Sequence, residues 1–425
     1  MRQVTVEELY RIYSDHPSIS TDTRQIKKGD IFFALNGPTF KGSDFIEEAF
    51  DKGASWCVTE TVFEGNDRIC KVPDTLIALQ QLALFHRKNF NIPFIAITGS
   101  NGKTTTKELI HVVLSTKYKT YTTEGNLNNH IGIPLTILRI RQDAEIAVIE
   151  MGANHIGEIK SYCQYTLPTH GLITNCGKAH LEGFGSIEGV RKGKGELFEY
   201  LAANKGTAFV FNDEQYLVEM AGKIGKMVTY GTSNSDYSGN PIDEEGLLSV
   251  KTHDAIFKTN LVGSYNLPNV LASVAVGKYF GVETNKIINA LKNYKPSNSR
   301  SQLIRSGTNN IILDAYNANP SSMELAIKNI SSMPGKKILL IGGMKELGID
   351  SHQEHRKIVD LIDSFSWDYV ALVGREFSNL SGKYEHFNNS EEAGEWLKNI
   401  NPMHSSILIK GSRGTRMENV LNYIG

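Results

Sequence analysis

The chain has 425 residues, 40% of them hydrophobic and 21% charged, which is typical of a globular protein of about three domains. Its 45 lysines and arginines nearly balance 46 aspartates and glutamates, so no basic excess is present to hold a nucleic acid. The apolar runs fall far short of the ~20 residues that cross a bilayer. The start of the chain has no apolar segment typical of a signal peptide, and the four cysteines include no C-x-x-C pair. We therefore expect a cytoplasmic protein with reduced thiols that binds no nucleic acid and spans no membrane.

Differences in pattern along the chain predict three domains, which we place at residues 1–91, 92–296 and 297–425. The first domain mixes short strands with helices, including a buried strand at Ile31–Leu35 and a helix at Asp44–Lys52. Pro93 directly precedes the very apolar strand Phe94–Thr98 and marks the first boundary. The polar stretch Lys295–Ser299 is typical of a linker and marks the second.

The second domain alternates strands with helices. Its strands are short continuous apolar runs, as expected when helices cover both faces of a parallel sheet. We place them, with one clear helix after them, at Phe94–Thr98, Ile146–Ile149, Gly171–Thr174, Thr207–Phe211 and, for the helix, Pro268–Phe280.

The third domain shows the most regular alternation. Its strands are predicted at Ile311–Ala315, Lys337–Ile341, Tyr369–Val373 and Ile407–Ile409, and its helices near 322–331, 352–363, 391–399 and 416–423. This order is typical of a small doubly wound sheet with right-handed crossovers. The predicted fold class is therefore α/β with three domains, including a central P-loop parallel-sheet ATPase domain and a C-terminal Rossmann-like doubly wound domain.

A glycine-rich loop follows the strand Phe94–Thr98 and leads into a helix that we expect to begin near Lys107. Such a loop directs backbone N–H groups and a helix N-terminus at phosphate oxygens. Lys103 would reach the β- and γ-phosphates of ATP, and the Thr104 hydroxyl would ligate Mg²⁺. The strict P-loop pattern has glycine where this chain has Ile97, but the strand–loop–helix context favours ATP binding. The loop residues predicted to bind the nucleotide are Gly99, Ser100, Asn101, Gly102, Lys103, Thr104 and Thr105.

Three further side chains are candidates for catalysis, two of them just past predicted strand ends. Glu150 could hold Mg²⁺ as a hard oxygen ligand, or it could be a solvated carboxylate. His180 follows a strand across a short loop, where it could equally be an ordinary hydrogen-bonding residue. Lys194 falls in the middle of the apolar stripe of a predicted helix, Ile187–Leu201, whereas Lys192 points away. Because burial favours the neutral amine, Lys194 could react with CO₂ to give a metal-binding carbamate, unless its ammonium extends to the domain edge.

Together these residues resemble the Mur ligase family, the ATP-dependent amino-acid ligases of peptidoglycan precursor synthesis. Thr98–Thr105 matches the family's T-G-x-N-G-K-T-T motif, and Glu150 matches the acidic residue after its next strand. His180 and Lys194 match its histidine and its carbamoylated lysine about fourteen residues later. Further matching motifs, which extend the resemblance from Asp22 to Glu418, are Gly125–Asn129, Glu150–Ala153, His180–Gly185, Asp314–Pro320 and Lys410–Arg413.

The resemblance implies that the chain joins D-alanyl-D-alanine to UDP-N-acetylmuramoyl-tripeptide (UDP-MurNAc-tripeptide) through an acyl-phosphate intermediate. This would be the last cytoplasmic step of peptidoglycan precursor synthesis, catalysed by a monomer. The implied cofactors are ATP and two Mg²⁺ ions, one of them held through carbamoylated Lys194. The implied catalytic residues are Lys103, Lys194, His180 and Glu150, and the implied metal ligands are Thr104, Glu150, His180 and Lys194.

The resemblance also implies contacts with the nucleotide and the substrates. The uridine diphosphate would be held by Asp22, Thr23 and Arg24, although Arg24 could equally form an ordinary surface salt bridge. ATP would be contacted by Asn266, Asn269, Arg300 and Asp314, and the peptide substrates or the acyl phosphate by Asn128, Asn129, Asn317, Asn319, Lys410 and Ser412. Tyr265 stands where the family's adenine-side H-N-x-x-N pattern begins with histidine, and Gly343 stands where relatives often have aspartate.

Two other functions compete with this one. A folylpolyglutamate synthase-like ligase would share the phosphate loop and the lysine, but it would lack the Asp22-Thr23-Arg24 domain. A regulatory module that binds nucleotide without chemistry would have no reason to retain Lys103, Glu150, His180 and Lys194 together. Turnover of ATP that depends on an added amine acceptor distinguishes these functions.

Overall fold

The computed structural model describes residues 3–63, 66–244, 246–296 and 299–424. The helices are α1 (Val6–Asp15), α2 (Ile46–Asp51), α3 (Thr75–Arg87), α4 (Lys103–Leu114), α5 (Gly132–Leu138), α6 (Glu158–Thr166), α7 (Leu181–Phe184), α8 (Ile187–Ala203), α9 (Gln215–Ala221), α10 (Leu267–Tyr279), α11 (Thr284–Asn293), α12 (Pro320–Ser331), α13 (Ser351–Asp363) and α14 (Ser390–Ile400). The strands are β1 (Ile19–Ser20), β2 (Ile31–Phe33), β3 (Trp56–Thr59), β4 (Ile69–Lys71), β5 (Phe94–Thr98), β6 (Thr120–Thr122), β7 (Ile146–Glu150), β8 (His170–Ile173), β9 (Thr207–Phe211), β10 (Lys226–Gly231), β11 (Tyr237–Glu244), β12 (Leu247–Thr252), β13 (Ile256–Val262), β14 (Gln302–Ser306), β15 (Asn309–Asp314), β16 (Lys336–Gly342), β17 (Tyr369–Val373), β18 (Glu385–Phe387) and β19 (Ser405–Lys410).

The N-terminal part forms a small parallel sheet in the order β1-β2-β3-β4. Successive residues of a strand point to opposite faces, so Phe32 enters one core while Ile31 and Phe33 enter another. This second core continues through α1 and α3 into the middle of the molecule. Arg87, at the end of α3, fixes that junction by donating hydrogen bonds to the carbonyls of Thr166 and Leu167.

A second sheet runs through the rest of the described chain. Its fifteen strands follow the order β18-β17-β16-β19-β15-β14-β13-β12-β11-β10-β9-β8-β5-β7-β6. Both ends are parallel, as predicted, but β11 to β15 are joined by antiparallel pairing. Sequence analysis placed no strand between β10 and β14. In β11, Gly239 and Pro241 weaken the local strand signal, and pairing with β12 overrides it. Strands β12 and β13 contain no glycine or proline, so their apolar and β-branched residues carried a strand signal that was overlooked.

The parallel strands bring their carboxyl ends to common edges. In the central part, β5 lies between β7 and β8, so the phosphate loop after β5, Glu150 at the end of β7 and the segment after β8 are neighbours. In the C-terminal part, β15 pairs with β19 so that Asp314 lies opposite Lys410. The sheet order therefore sets up two clusters of polar side chains.

The α/β class with a central P-loop part and a C-terminal doubly wound part is confirmed. The domain boundaries stay predictions, and residues 297 and 298 of the predicted linker lie outside the described residues. The helix after the phosphate loop begins at Lys103, not near Lys107 as predicted, and the segment Met417–Tyr423 is 3₁₀-helical. The four cysteines are free and buried. None of the helices in the described part of the chain is both long enough and apolar enough to traverse a bilayer.

Candidate active site

A cleft of about 500 Å³ lies between the central and C-terminal parts. Most of the residues predicted from sequence for nucleotide, metal and substrate binding line it. They are Ser100, Asn101, Gly102, Lys103, Thr104, Thr105, Asn128, Asn129, Glu150, His180, Asn266, Asn269, Arg300, Asp314, Asn317, Asn319 and Lys410. Convergence of residues this far apart in sequence makes the cleft the candidate active site.

The phosphate loop is held rigidly against the segment after β8. The backbone N–H of Ser100 donates to the Asn175 carbonyl at 2.9 Å, and that of Asn101 donates to Asn175 Oδ1 at 3.0 Å. Gly99 has φ 144° and Gly102 has φ 78°, conformations that favour glycine. A Cβ on Gly99 would lie 1.9 Å from Thr174 Oγ1, so space as well as conformation requires glycine there.

Helix α4 begins directly at Lys103, and no side chain caps it. Its first N–H groups are therefore free to bind an anion, with the positive end of the helix dipole behind them. The Lys103 ammonium donates to the carbonyls of Gly99 at 2.7 Å and Ser100 at 3.2 Å. Burial lowers the pKa of Lys103, an effect that the Glu150 carboxylate partly offsets.

Glu150 is almost fully buried, with 1% of its surface exposed. Its Oε1 accepts hydrogen bonds from Asn128 Nδ2 at 2.8 Å and from Thr104 Oγ1 at 3.1 Å. Its Oε2 is buried without a hydrogen-bond partner. A buried carboxylate oxygen without a partner is costly, and a hard cation beside the Thr104 hydroxyl would satisfy it.

Lys194 is on α8 with 1% of its surface exposed, whereas Lys192 is exposed. The predicted inward orientation of Lys194 is thus confirmed. Its ammonium donates to the Ala153 carbonyl at 2.9 Å and lies 5.0 Å from the centre of the Phe184 ring. Burial lowers the pKa of Lys194 to about 7, assisted by repulsion from Lys103. A large fraction of this amine is therefore neutral near pH 7 and competent to react with CO₂.

His180 lies at the start of α7 in a left-handed conformation, with φ 52°. Its Nδ1 atom is in ion-pair contact with Glu346 of the C-terminal part, although the geometry at Nδ1 is not that of a hydrogen bond. This contact lowers the pKa of Glu346. Further polar contacts cross the same junction. Among them, Asn319 Nδ2 donates to Asn101 Oδ1 at 2.7 Å, and Lys178 Nζ lies 3.0 Å from Glu354 Oε1.

The C-terminal wall of the cleft carries a buried ion pair. Lys410, with 1% of its side chain exposed, contacts Asp314 Oδ2, and Asp314 Oδ1 also accepts from the Ser301 N–H at 3.2 Å. The Arg300 guanidinium lies 3.7 Å above the Tyr316 ring, and its Nε is buried without a partner. A cation of this kind beside an aromatic face is suited to phosphate.

The asparagines predicted to contact the adenine side lie in a connected chain behind the phosphate loop. Thr106 Oγ1 donates to Asn269 Oδ1 at 3.0 Å, and Asn269 Nδ2 donates to Asn266 Oδ1 at 2.9 Å. Tyr265 lines the cleft beside them, with its hydroxyl 3.1 Å from Ser301 Oγ. Tyr265, which stands where the family pattern has histidine, thus still provides an aromatic ring and a polar atom at this position.

Several asparagines predicted to bind substrate also hold backbone turns. Asn129 Oδ1 accepts from the N–H groups of Ile131 and Gly132. Asn317 Oδ1 accepts from its neighbour's N–H, and Asn319 caps α12. Ser412 lies outside the cleft lining and donates its hydroxyl to the Gly343 carbonyl at 2.6 Å. Its substrate role stays a prediction.

The predicted diphosphate grip lies on the N-terminal part, away from the cleft lining. Asp22 caps the 3₁₀ turn Thr23–Gln25 and forms an ion pair with Arg24 at 2.8 Å. Hydrogen bonds from Arg24 lower the pKa of Asp22 to about 2. The Arg24 side chain is 84% exposed, so its guanidinium is accessible to a ligand on that surface.

Sequence reasoning missed residues that shape the cleft. Asn175 is the second residue after β8, and the rule that strand ends carry chemistry could have found it. Glu196 accepts from the N–H groups of Gly157 and Lys160 at the start of α6. It is two residues from Lys194, roughly 200° around the helix, so the apolar stripe that contains Lys194 gave no signal for it. The contacts of Glu346 with His180 and of Glu354 with Lys178 carry no sequence signal because these partners belong to another predicted domain; only the pair of Glu354 with Lys357 is local.

Family models match nearly the whole chain. Residues 17–87 match "Mur ligase family, catalytic domain", residues 97–277 match "Mur ligase middle domain", and residues 299–413 match "Mur ligase, glutamate ligase domain".

Relatives and solved structures agree with these matches. The UDP-N-acetylmuramoyl-tripeptide–D-alanyl-D-alanine ligases of Bacillus subtilis strain 168 and of Escherichia coli strain K12 are each 35% identical over 95% of this chain and 92% of their own length. MurF from Acinetobacter baumannii is similar in structure, with a TM-score of 0.90 and 29% identity over 100% of this chain and 99% of that one. MurF ligase from Thermotoga maritima in complex with ADP has a TM-score of 0.86 and 29% identity over 96% of both chains. The chain belongs to the Mur ligase family.

Proposed function

We propose that this protein is an ATP-dependent ligase that joins D-alanyl-D-alanine to UDP-MurNAc-tripeptide through an acyl phosphate. The observation that carries the proposal is the cleft, which is lined by an uncapped helix end at Lys103 and a buried carboxylate at Glu150. The buried amine of Lys194 lies just outside this lining, hydrogen-bonded to the carbonyl of the lining residue Ala153. The full-length similarity to ligases of this substrate pair supports the choice of substrates.

The first step is attack of the tripeptide carboxylate on the γ-phosphorus of ATP. A new P–O bond forms, the bond to the β-phosphate oxygen breaks, and ADP leaves. The N–H groups at the start of α4 and the Lys103 ammonium bind the phosphates and stabilise the charge that builds on them. Arg300, with an unpartnered Nε beside the cleft, adds positive charge from the opposite wall.

The residues present fit Mg²⁺. Glu150 Oε2 is buried without a partner beside Thr104, and Mg²⁺ is usually held by one or two protein oxygens together with nucleotide phosphates. Thr104 and Glu150 would hold a first ion, and His180 with the Lys194 carbamate a second. Bound there, the ions neutralise phosphate charge.

Lys194 is suited to carry a carbamate because its pKa is lowered to about 7. The neutral amine adds to CO₂, a C–N bond forms and one proton is released to solvent. The product is an anion with oxygen donors where the unmodified side chain has only an ammonium. Modification thus places a negative charge near Lys103, where the unmodified side chain is a partly neutral amine.

In the second step the free amine of D-alanyl-D-alanine attacks the acyl carbon, a C–N bond forms, and phosphate leaves. An acyl phosphate is hydrolysed by water, so the C-terminal part must exclude solvent while the amine enters. The contact of Asn319 with Asn101 holds that part against the phosphate loop. Asn317, Asn319 and Lys410 line this side of the cleft and are the proposed contacts of the dipeptide or the acyl phosphate.

Release of phosphate from ATP, measured with UDP-MurNAc-tripeptide in the presence and absence of D-alanyl-D-alanine, tests the proposal. We expect release that needs both substrates, together with a product heavier by the dipeptide. Release with another amino acid or with a folate would retain ligase chemistry and refute the substrate. No release with any acceptor would favour a regulatory nucleotide-binding module.

A further inference from the structure

His180 is contacted by a residue that belongs to the opposite side of the cleft. Its Nδ1 atom, which is buried, lies in ion-pair contact with Glu346 Oε2. We propose that Glu346 is a positioning residue, which fixes the ring orientation and tautomer of His180 when the C-terminal part closes over the phosphate loop. The inference rests on the proposed function, in which His180 serves the phosphate-binding cleft.

The backbone on both sides is shaped for this contact. His180 has φ 52° and Glu346 has φ 62°, and a non-glycine residue in the left-handed region is uncommon. Such conformations persist only where the surrounding structure holds them, and they concentrate at functional sites. The Glu182 N–H points to the Glu346 carbonyl at 3.4 Å, and Gly348 lies against the Glu182 side chain. Two loops from different parts of the molecule therefore meet at this pair.

The contact with Glu346 affects which ring nitrogen of His180 carries a proton. A neutral histidine has one N–H and one lone pair, on different nitrogens. A carboxylate beside Nδ1 stabilises the proton there, so Nε2 keeps its lone pair for a ligand. Because Glu346 follows β16 while His180 precedes α7, this arrangement exists only when the two parts are together. Closure would thus complete the site by orienting His180 as well as by excluding water.

A simpler role for Glu346 is that of an interface contact with no effect on the ring. The Glu346 side chain is 52% exposed, and an exposed ion pair shifts an equilibrium by about five-fold or less. Loss of a carboxylate that orients a ligand histidine typically lowers activity by about 10- to 100-fold. The two roles therefore differ in magnitude, and Glu354 provides a control from the same junction, where it pairs with Lys178. Glu354 is itself 7% exposed, but the two lysines that its removal leaves, Lys178 and Lys357, are 44% and 48% exposed, so only a small effect is expected there.

The experiment compares Glu346→Ala with Glu354→Ala. We expect Glu346→Ala to lower kcat by about 10- to 100-fold with little change in the KM for ATP, and Glu354→Ala to lower it by about five-fold or less. Glu346→Gln, which keeps an acceptor oxygen, should retain more activity than Glu346→Ala. In a His180→Ala background, Glu346→Ala should have no further effect, because the residue through which it acts is gone.

A second readout does not require turnover. The ring ¹⁵N signals of His180, assigned by their loss in His180→Ala, should report Nδ1 protonation in the wild-type protein with ADP bound. Glu346→Ala should change them and Glu354→Ala should not. Equal kcat losses in the two alanine variants, additive effects with His180→Ala, or ring signals insensitive to Glu346 would overturn the inference. If the wild-type protein shows no ligation at all, the proposed function is refuted, and the ring signals still decide whether Glu346 positions His180.

Discussion

Replacing Lys194 with methionine should stabilise the central part of the protein near neutral pH while it abolishes ligation. Burial lowers the pKa of Lys194 from 10.5 to about 7. This shift means that, at low pH, where the amine is charged, Lys194 destabilises the folded protein by roughly 4–5 kcal/mol. Methionine has similar length, carries no charge, and can contact the Phe184 ring through its sulfur. The variant leaves the Ala153 carbonyl without its donor, which costs about 1–3 kcal/mol.

The relief of the buried charge outweighs the lost hydrogen bond, so the free energy of unfolding should rise by about 2 kcal/mol at pH 7. For a unit of 150–250 residues this raises the melting temperature by about 4–8 °C. If Lys194 has the proposed metal-binding role, its replacement should lower ligation by at least about 100-fold. The gain in stability and the loss of ligation would thus both follow from removing the amine nitrogen of Lys194.

The sign of the pH dependence follows from the lowered pKa. Between pH 7 and 10.5 the unfolded chain binds more protons at this lysine than the folded protein does, so wild-type stability rises with pH across this window. The methionine variant lacks this dependence. The difference in free energy of unfolding between the variant and the wild type should therefore decrease by about 2 kcal/mol between pH 7 and pH 9.

Thermal unfolding of both proteins at pH 7, 8 and 9, in buffer freed of CO₂ and bicarbonate, measures this effect. Lys192→Met is the matched control, because Lys192 is on the same helix but exposed, and it should change the melting temperature little at any pH. A Lys194→Met variant less stable than wild type at pH 7 would refute the reasoning. So would a stability difference that does not change between pH 7 and pH 9.

Three further changes test other parts of the site. Glu150→Gln removes the charge but keeps an acceptor oxygen, so Mg²⁺-dependent phosphate release should fall by at least about 100-fold. The affinity for ADP, measured by calorimetry without Mg²⁺, should be almost unchanged. An equal loss of phosphate release and of ADP affinity would contradict a metal role. Lys410→Met leaves the Asp314 carboxylate without its ion-pair partner beside the cleft, so denaturant unfolding should show a free energy of unfolding lower by about 3–5 kcal/mol. The double variant Lys410→Met/Asp314→Leu should recover much of this loss. No recovery would mean that Lys410 stabilises the protein by packing and not by its charge. Tyr265→Phe loses only the contact with Ser301, so the KM for ATP should rise by about ten-fold or less; a larger rise would indicate that the hydroxyl contacts the nucleotide directly.

The elements predicted best are those whose own sequence carries the signal. The strands at Phe94–Thr98 and Thr207–Phe211 were placed correctly because both faces of a central parallel strand are buried, and only apolar residues fit there. Lys194 was recognised as inward because helical periodicity puts it among buried residues. The phosphate loop was recognisable because its glycines are required by conformation and space.

The elements that escaped prediction depend on partners distant in sequence. Strand β11 contains Pro241 and forms because β12 pairs with it. The run Lys103–Thr106 favours a loop by local preference, yet it forms the first turn of α4 since Gly102 ends the loop before it. The contacts of Glu346 with His180 and of Glu354 with Lys178 arise from domain arrangement alone. Local patterns thus indicated the chemistry of the cleft, whereas its closure could be read only from the folded chain.

The transfer of an isotope label tests the central claim most directly. UDP-MurNAc-tripeptide labelled with ¹⁸O in its terminal carboxylate would be incubated with Mg²⁺, ATP and D-alanyl-D-alanine, and the released phosphate examined by mass spectrometry. We expect one ¹⁸O atom per phosphate and a product heavier by the dipeptide, because the carboxylate oxygen bridges to phosphorus before the amine displaces it. Unlabelled phosphate alongside the same ligation product would contradict the acyl phosphate, and labelled phosphate without amide formation would contradict the assigned acceptor.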